Sequence, residues 1–455
     1  MKRFKIKYRP EIDSLRAISV IAVIIYHAKI NLFGYKLFPG GYLGVDVFFV
    51  ISGYLITSII LKELHENKNF SFINFYFRRA RRILPALVFL LLCTLPIAWF
   101  VLLPSTFVDF SKSIYFSLGF SSNFFFYFTG LEYGGVDGLL KPLLHTWSLA
   151  VEEQYYILFP ILLVLSFFFL KKRINIIILL LLLLSLIFAE FFSSKNSNLN
   201  FYILPSRAWE LLVGAALVIL ESKRKFRSSD LMSNIFCLIG LGLIFLSFTY
   251  FYESVPSPGI KNTVPIIGTL LILIFINNKT LIARILNNNL FTGIGLISYS
   301  LYLWHYPIFS FARNLRIAQG IVEYSLIGIL IFLISIISYF FIEKPFRDKK
   351  FISNKVFIKF FIISLSFLIL SSFIIIKNKG FKNRFQNYDS FSTDYQKYLT
   401  EVRIKKYELG NPQFTDSDKK NILIIGNSHA RNTFNALKLN ENLFNTLEFS
   451  ILDLP

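Results

Sequence analysis

Arg16 and His27 are the residues whose types and spacing first suggest chemistry. Both belong to the first long apolar segment, within the stretch DSLRAISVIAVIIYH. At 3.6 residues per turn they share nearly the same face of a helix, roughly 16 Å apart along its axis. Charged groups inside a membrane-spanning helix are costly unless they face a partner or a water-filled cavity. We therefore expect this helix to present a cation near one membrane surface and a titratable imidazole near the other.

The composition is that of a polytopic membrane protein. The 455 residues are 55% hydrophobic and 18% aromatic, with a mean hydropathy of +0.57, which soluble domains rarely reach. We interpret the net charge of +21 as basic cytoplasmic loops, so no nucleic-acid partner is expected. Cys93 and Cys237 lie in apolar runs and are interpreted as core thiols, and no metal site is predicted.

Runs of about twenty apolar residues predict helical spans. There are eleven of them, near 12–31, 43–64, 83–103, 145–169, 174–193, 203–220, 235–251, 263–278, 290–311, 322–342 and 356–376. The segment 107–128 is interrupted by charged and polar residues and is interpreted as re-entrant or surface-lying. The predicted fold is all-α and polytopic, with about ten core helices and an eleventh linking span.

Basic residues are concentrated in every second loop, and this bias orients the spans. The positive-inside rule places the N-terminus in the cytoplasm, with the spans among membrane lipids, and an odd span count places the tail outside. Four regions follow from this arrangement. They are a transmembrane domain at 1–350, an additional transmembrane helix at 351–376, an extracytoplasmic linker at 377–420 and the start of an α/β domain at 421–455.

Polar residues from several spans fall at a similar depth in the outer half of the membrane. They are His27, Asp46, His145, Arg207, Glu210 and His305. Such convergence predicts a pocket. Glu152 lies about two turns below His145, and Glu152 or Glu153 could instead be a structural partner of Arg207. His145 could equally have an interfacial structural role.

A basic motif, FYFRRARRILP, precedes the third span at the level of Arg16. It contains Arg78, Arg79, Arg81 and Arg82. Arginine binds phosphate in a bidentate manner, so this cluster could hold a phosphorylated ligand. A stop-transfer or lipid-headgroup cluster is the alternative interpretation.

Seven motifs in order resemble the acyltransferase-3 membrane proteins. They are RPEIDSLRAISVIAVIIYHA, GGYLGVDVFFVISGYLIT, FYFRRARRILP, TWSLAVEEQYYILFP, SRAWELLVG, SYSLYLWHYP and EKPFR. The resemblance is greatest to the branch that acetylates bacterial O-antigen or peptidoglycan and carries an outer SGNH-type domain. It implies transfer of an acetyl group from cytoplasmic acetyl-CoA to a hydroxyl of a surface polysaccharide, with O-antigen or lipopolysaccharide expected first and peptidoglycan next.

The resemblance also assigns roles to residues. It implies that His27 is the catalytic base and pairs with Arg16, that the four arginines bind acetyl-CoA, and that Glu152 and Glu153 form the acidic motif. We expect an acid, Glu152 or Asp46, to hold His27. The expected acceptor-site candidates are Glu153, His145, Arg207, Glu210, His305 and Tyr302.

The tail resembles the first block of an SGNH hydrolase, with Ser428 as its nucleophile. The usual Gly-Asp-Ser reads Gly426-Asn427-Ser428 here, and no histidine follows His429. We therefore expect an inactive, shortened domain. A different class also stays open, because intramembrane charges such as His27 and Glu152 would suit a proton-coupled transporter or a flippase for lipid-linked sugars.

Overall fold

The computed structural model describes most of the chain. The described residues are 8–385, except 33, 132–136, 170–172, 224–227, 253–254, 278–279 and 318–319, and then 419–426, 434, 437 and 446–453. Within them the membrane part is almost entirely helical.

The helices follow one another with short connections. In chain order they are α1 Pro10–Ala28, α2 Gly44–Asn67, α3 Phe72–Val101, α4 Pro104–Leu118, α5 Ser122–Gly130, α6 Thr146–Phe169, α7 Ile174–Lys195, α8 Ser197–Tyr202, α9 Leu204–Lys223, α10 Asp230–Tyr250, α11 Thr263–Phe275, α12 Leu281–Leu286, α13 Asn289–Leu296, α14 Ser298–Asn314, α15 Ile321–Ser338, α16 Lys344–Arg347 and α17 Asn354–Lys377. A π-helical turn, Tyr339–Glu343, joins α15 to α16. The strands are β1 Asn31–Leu32, β2 Tyr35–Lys36, β3 Lys420–Gly426 and β4 Leu447–Asp453.

Seven helical segments of the described chain are long and apolar enough to cross a membrane. They are Gly41–Asn67, Phe72–Val101, Thr146–Phe169, Ile174–Lys195, Asp230–Tyr250, Ile321–Arg347 and Asn354–Lys377. The other four predicted spans are also helical, but α1 and α9 carry several charged residues, and α11 and α14 are shorter. The polytopic, all-α prediction is confirmed. The segment 107–128 is divided between α4 and α5, each too short to span a bilayer.

Local sequence signals set where the helices begin. α1 starts at Pro10, whose missing N–H would be unpaired in the first turn anyway, and Glu11 and Asp13 favour the positive end of the helix. Ser71 and Ser353 cap α3 and α17 by accepting a hydrogen bond from a backbone N–H three residues later. These starting points fix the height at which the polar residues of each helix lie.

α2 is the central helix of the membrane part. Of its apolar window, 83% is buried, against 22% for α7, α15 and α17. α1, α6 and α9 pack on α2, and α1 also packs on α14. These five helices carry most of the polar residues predicted from the sequence, whereas α7, α15 and α17 lie at the periphery.

The contact between α2 and α9 brings two backbones together. A Cβ atom added to Gly53 would overlap the carbonyl group of Leu211, and one added to Gly214 would overlap the carbonyl oxygen of Val50. Only glycine allows such an approach. Gly53 and Gly214 are therefore the positions at which α2 and α9 contact each other most closely.

The chain divides into two compact units, Met1–Gly380 and Phe381–Pro455. In the second unit β3 and β4 pair in parallel, with Lys420 opposite Leu447. Phe434 and Phe449 form a small buried cluster. A parallel pair needs a crossover connection, as expected at the start of an α/β domain. Ser428 lies outside the described residues, so the SGNH-type assignment stays a prediction.

The glycine contact makes a prediction about stability. Gly53→Ala should lower the midpoint of thermal unfolding in detergent, because the added methyl group has to push α9 away from α2 at a cost of about 1–3 kcal/mol. Gly242 of α10 is the matched control, since nothing lies within 4 Å of a Cβ added there. Gly242→Ala should leave the midpoint unchanged or raise it, because alanine favours a helix. Equal effects at both positions would contradict this packing.

Candidate active site

The two ends of α1 face two different cavities. Arg16 lines a cavity of about 90 Å³, which we call the arginine cavity, together with Ser52, Arg79, Arg82 and Glu152. His27 lines a cavity of about 770 Å³, which we call the histidine cavity. Its wall also contains Asp46, His145, Trp147, Phe201, Tyr202, Arg207, Tyr302 and Tyr306. One helix therefore connects a basic site with an imidazole site.

Three of the five histidines of the sequence meet at the histidine cavity. The Nδ1 of His27 lies 3.1 Å from the Nε2 of His305. The ring centroids of His145 and His305 are 5.6 Å apart. The edge of Tyr306 packs against His27, and Arg313 donates a hydrogen bond to the His27 carbonyl oxygen. The imidazole of His27 is thus held by neighbouring groups from α14.

The hydrogen bonds of His305 define which nitrogens carry protons. Its Nδ1 lies 2.7 Å from the carbonyl oxygen of Tyr302, which can only accept, so Nδ1 is the donor. In a neutral His305 the Nε2 is then an acceptor, and the Nδ1 of His27 must donate to it. The lone pair of a neutral His27 is left on Nε2. That atom is the one able to take a proton.

This arrangement differs from the expectation that an acid holds His27. Asp46 instead accepts a hydrogen bond from Asn262 at 2.5 Å and lies 3.6 Å from Arg207. Glu152 accepts from Ser52 and Tyr156 in the arginine cavity. Both carboxylates are committed to other helices, and His305 holds the His27 ring.

Arg207 is the centre of a buried ion cluster beside the histidine cavity. Its guanidinium is 3.1 Å from Glu210 and 3.6 Å from Asp46, and each of the three side chains is at most 1% exposed. Arg207 also lies over the rings of Trp147 and Phe201. The alternative pairing of Arg207 with Glu152 or Glu153 is not the one in the structure.

His145 is buried but has unused hydrogen-bonding capacity. It is 2% exposed, its ring stacks on Tyr306, and within the described chain neither ring nitrogen has a hydrogen-bond partner. Because both nitrogens are themselves buried, they do not reach the cavity, and His145 contributes its ring to the wall. Tyr202 is a further polar group on this wall, and burial raises its pKa to about 12, so its phenol stays protonated.

The four-arginine motif divides between two faces of α3. Arg79 and Arg82 lie three residues apart and line the arginine cavity with Arg16. Exposed Arg78 pairs with Glu63 at 3.1 Å. Arg81 is buried and donates to Asn354 and to the carbonyl oxygens of residues 348 and 352. The structure therefore brings two of the four predicted arginines to the cavity.

The remaining predicted site residues lie around these cavities. Arg16 forms an ion pair with Asp13 at 3.3 Å. Tyr302 lines both cavities. Glu153, Glu210 and His305 are buried behind the described cavity walls rather than forming them. Glu152 and Glu153 thus point in different directions, as expected for adjacent helical residues.

Several site residues escaped the sequence analysis. They are Tyr156, Asn262, Tyr306 and Arg313. Tyr306 follows His305 directly in SYSLYLWHYP, and Asn262 lies two residues before the apolar run that begins at Val264. Both positions could have been chosen from the sequence. The partners of Asn262 and Arg313 are more than two hundred residues away along the chain, so no local pattern could identify them.

Together, the helices and cavities describe a multi-pass membrane protein with a basic site and an imidazole site joined by one helix. Residues 9–341 match the family described as "Acyltransferase domain". The chain belongs to this acyltransferase family, and the resemblance seen in the sequence motifs is confirmed.

Two curated relatives illustrate the match. The chain is 33% identical over 365 residues to peptidoglycan O-acetyltransferase OatA of Listeria monocytogenes, which covers 77% of this chain and 58% of that protein. It is 30% identical over 364 residues to O-acetyltransferase OatA of Staphylococcus aureus, covering 77% of this chain and 59% of that protein. The chain thus spans just under three fifths of the length of these relatives. No solved structure matches.

The division of the arginines predicts different consequences for stability. Arg81→Ala should lower the free energy of unfolding by about 2 kcal/mol or more, because it removes a buried guanidinium that donates hydrogen bonds to residues 348, 352 and 354. Arg78→Ala, the matched control on the exposed face, should change it by about 1 kcal/mol at most. Thermal unfolding of the purified variants in detergent measures both. A larger loss for Arg78→Ala would contradict the assignment of the two faces.

Proposed function

We propose that this protein is a membrane-embedded O-acetyltransferase. It takes an acetyl group from cytoplasmic acetyl-CoA and transfers it to a hydroxyl of an extracytoplasmic cell-envelope glycan. The observation that carries the proposal is the His27–His305 pair, which leaves a proton-accepting nitrogen at a large cavity. The family membership and the names of the relatives support the reaction class.

The arginine cavity is the proposed site for the phosphates of acetyl-CoA. Arg16, Arg79 and Arg82 supply three guanidinium groups, which form strong charge-assisted hydrogen bonds with phosphate. Glu152 is the one carboxylate on the described wall, and it is occupied by Ser52 and Tyr156. The cavity is therefore basic. Arg78 and Arg81 have other partners, so we do not include them in the proposed binding site for acetyl-CoA.

His27 is the proposed general base. Its Nε2 removes the proton of an acceptor hydroxyl as that oxygen attacks the thioester carbonyl carbon. The new C–O bond forms, the C–S bond breaks, and the proton passes from His27 to the departing thiolate of CoA. His305 acts through His27, because its hydrogen bond fixes which nitrogen carries the lone pair. Attack by His27 itself, with an acyl-histidine intermediate, uses the same lone pair.

The histidine cavity suits a sugar acceptor. Its wall combines ring faces with neutral hydrogen-bonding groups. The former include Tyr26, Trp147, Phe201, Tyr202 and Tyr306, and the latter include Ser193, Ser194, Ser197 and Asn198. Apolar faces with a few convergent polar groups are typical of small-molecule sites. His145 contributes its ring to the same wall.

Among glycans, we place peptidoglycan ahead of O-antigen. The name of the Listeria relative specifies peptidoglycan, and this reverses the order expected from the sequence motifs. The proposed localisation is the bacterial cytoplasmic membrane, with the N-terminus and the arginine cavity on the cytoplasmic side. We also propose that the tail beyond α17 is extracytoplasmic and is of the SGNH type.

The base assignment is tested by acetyl transfer in membrane vesicles. With radiolabelled acetyl-CoA and peptidoglycan fragments or O-antigen offered in parallel, His27→Ala should lower the transfer rate at least ~10²-fold. His65→Ala is the control, since His65 bonds the Leu61 carbonyl outside both cavities. Undiminished transfer by His27→Ala would overturn the role. No transfer by the folded parent chain, combined with gradient-driven movement of a lipid-linked sugar, would establish the transporter alternative.

A pair of variants separates positioning by His305 from mere space filling. His305→Gln keeps an amide N–H for the Tyr302 carbonyl and an oxygen that accepts from His27, whereas His305→Leu keeps neither. We expect His305→Gln to retain clearly more transfer activity than His305→Leu, with kcat affected more than KM. If the two variants are equally impaired while both remain folded, His305 does not act through this hydrogen bond.

The donor site is tested through KM for acetyl-CoA. Arg79→Ala and Arg82→Ala should each raise it roughly ten- to hundredfold, since a hydrogen bond to a charged group contributes about 1.5–3 kcal/mol. Arg78→Ala, on the opposite face of α3, should leave it unchanged. A KM that rises for Arg78→Ala and not for the other two would move the donor away from the arginine cavity.

A further inference from the structure

The boundary between the two cavities is thin. Val45 of α2 and Tyr302 of α14 line both of them. Ser148 of α6 lines the arginine cavity, and His145, just before α6, lines the histidine cavity. Val45 and Tyr302 therefore belong to the boundary between the basic site and the imidazole site.

Tyr302 is held across this boundary by its hydroxyl group. The phenolic oxygen is 3.0 Å from the carbonyl oxygen of His145 and 2.5 Å from the Oγ of Ser148. Because a carbonyl only accepts, the tyrosine donates to His145, and the Ser148 hydroxyl supplies the second hydrogen bond. The ring packs against Phe48, another residue of the arginine cavity, with the two ring centroids 6.3 Å apart. Two hydrogen bonds thus fix one rotamer of a ring that stands between the cavities.

The proposed reaction requires a connection at this place. Arg16 and His27 are separated by roughly 16 Å along α1, so a donor anchored at the arginines must extend its acyl arm past the boundary to reach the imidazole. A permanently open passage would let water reach the thioester and let solutes cross the membrane. A side chain that closes the passage in the absence of donor meets both demands.

We propose that Tyr302 is a gate between the arginine cavity and the histidine cavity. Its ring and its hydrogen bonds to Ser148 and the His145 carbonyl close the passage, and the acyl arm of the donor displaces the ring. The partition follows from the geometry of the cavities, whereas its use by an acyl arm rests on the proposed function. The backbone carbonyl of Tyr302 also accepts the hydrogen bond that orients His305. The side chain that is displaced therefore belongs to a residue that contacts the histidine pair.

Thiol accessibility tests the gate without relying on enzyme activity. Cys93 and Cys237 are replaced by alanine, and Ser298→Cys is introduced as a reporter, since Ser298 lines the arginine cavity alone. The probe is the membrane-impermeant anion 2-sulfonatoethyl methanethiosulfonate, added to right-side-out or to inverted vesicles. With Tyr302 present, the reporter should react from the face of the arginine cavity only. With Tyr302→Ala, the reaction from the opposite face should accelerate at least tenfold.

Tyr299→Ala is the matched control. Tyr299 lines the arginine cavity alone, and its hydroxyl donates to the carbonyl of Ile83. Its loss enlarges that cavity without touching the boundary, so accessibility from the opposite face should stay low. No acceleration with Tyr302→Ala, or equal acceleration with Tyr299→Ala, would overturn the gate.

Milder variants decide the question if Tyr302→Ala does not fold. Tyr302→Phe removes the hydroxyl, and Ser148→Ala removes one of its partners, while the ring remains. Each should give an intermediate acceleration of reporter labelling, and the parent rate in both would overturn the role of the hydrogen bonds. Acetyl transfer by the same variants is measured in a separate assay. Accelerated labelling in Tyr302→Ala, combined with no transfer by the parent chain, would retain the gate and refute the proposed function.

Discussion

A charged group in a membrane interior has to be given its partner by the protein, and this constraint organises the whole membrane part. Hydrocarbon offers no hydrogen bonds, so each buried ion draws helices together around it. Arg207 of α9 is the clearest case, because its guanidinium lies within 3.6 Å of Asp46 of α2 and of Glu210, and Asn262 donates a hydrogen bond to Asp46.

The same constraint explains the contrast between the two ends of α1. At the first end, guanidinium groups outnumber carboxylates on the cavity wall, which leaves a basic site that an anion can complete. At the second end, a neutral His27 donates from Nδ1 to the Nε2 of His305, which donates from its own Nδ1 to the Tyr302 carbonyl oxygen. The first site is basic, and in the second an imidazole pair lies beside the Arg207 ion cluster.

Much of this could be predicted from sequence, because lipid imposes simple rules. The apolar runs located the helices, and the depth of each polar residue followed from the orientation of its span. His27, Asp46, His145 and Arg207 do line one cavity. Depth alone does not define rotation about a helix axis, however. The i,i+3 spacing that separates Arg79 and Arg82 from Arg78 and Arg81 was visible, but which pair faces inward depends on tertiary packing.

Pairing between distant helices was the part that sequence could not supply. An acid was expected beside His27, because carboxylates were present at suitable depth. The structure places His305 there instead, since α14 packs directly on α1. That choice depends on contacts between segments 278 residues apart in the chain. Local patterns contain no information about them.

The glycine contact between α2 and α9 limits how this protein can move. With the backbones of Gly53 and Gly214 pressed against the partner helix, neither helix can slide or rotate without a collision. Asp46 of α2 lines the histidine cavity, and Ser52 of α2 lines the arginine cavity. The fixed contact between α2 and α9 therefore holds part of both cavity walls in place. Alternating access by rocking one half of the bundle would have to break it. The fold instead favours movements of single side chains between helices that stay in place.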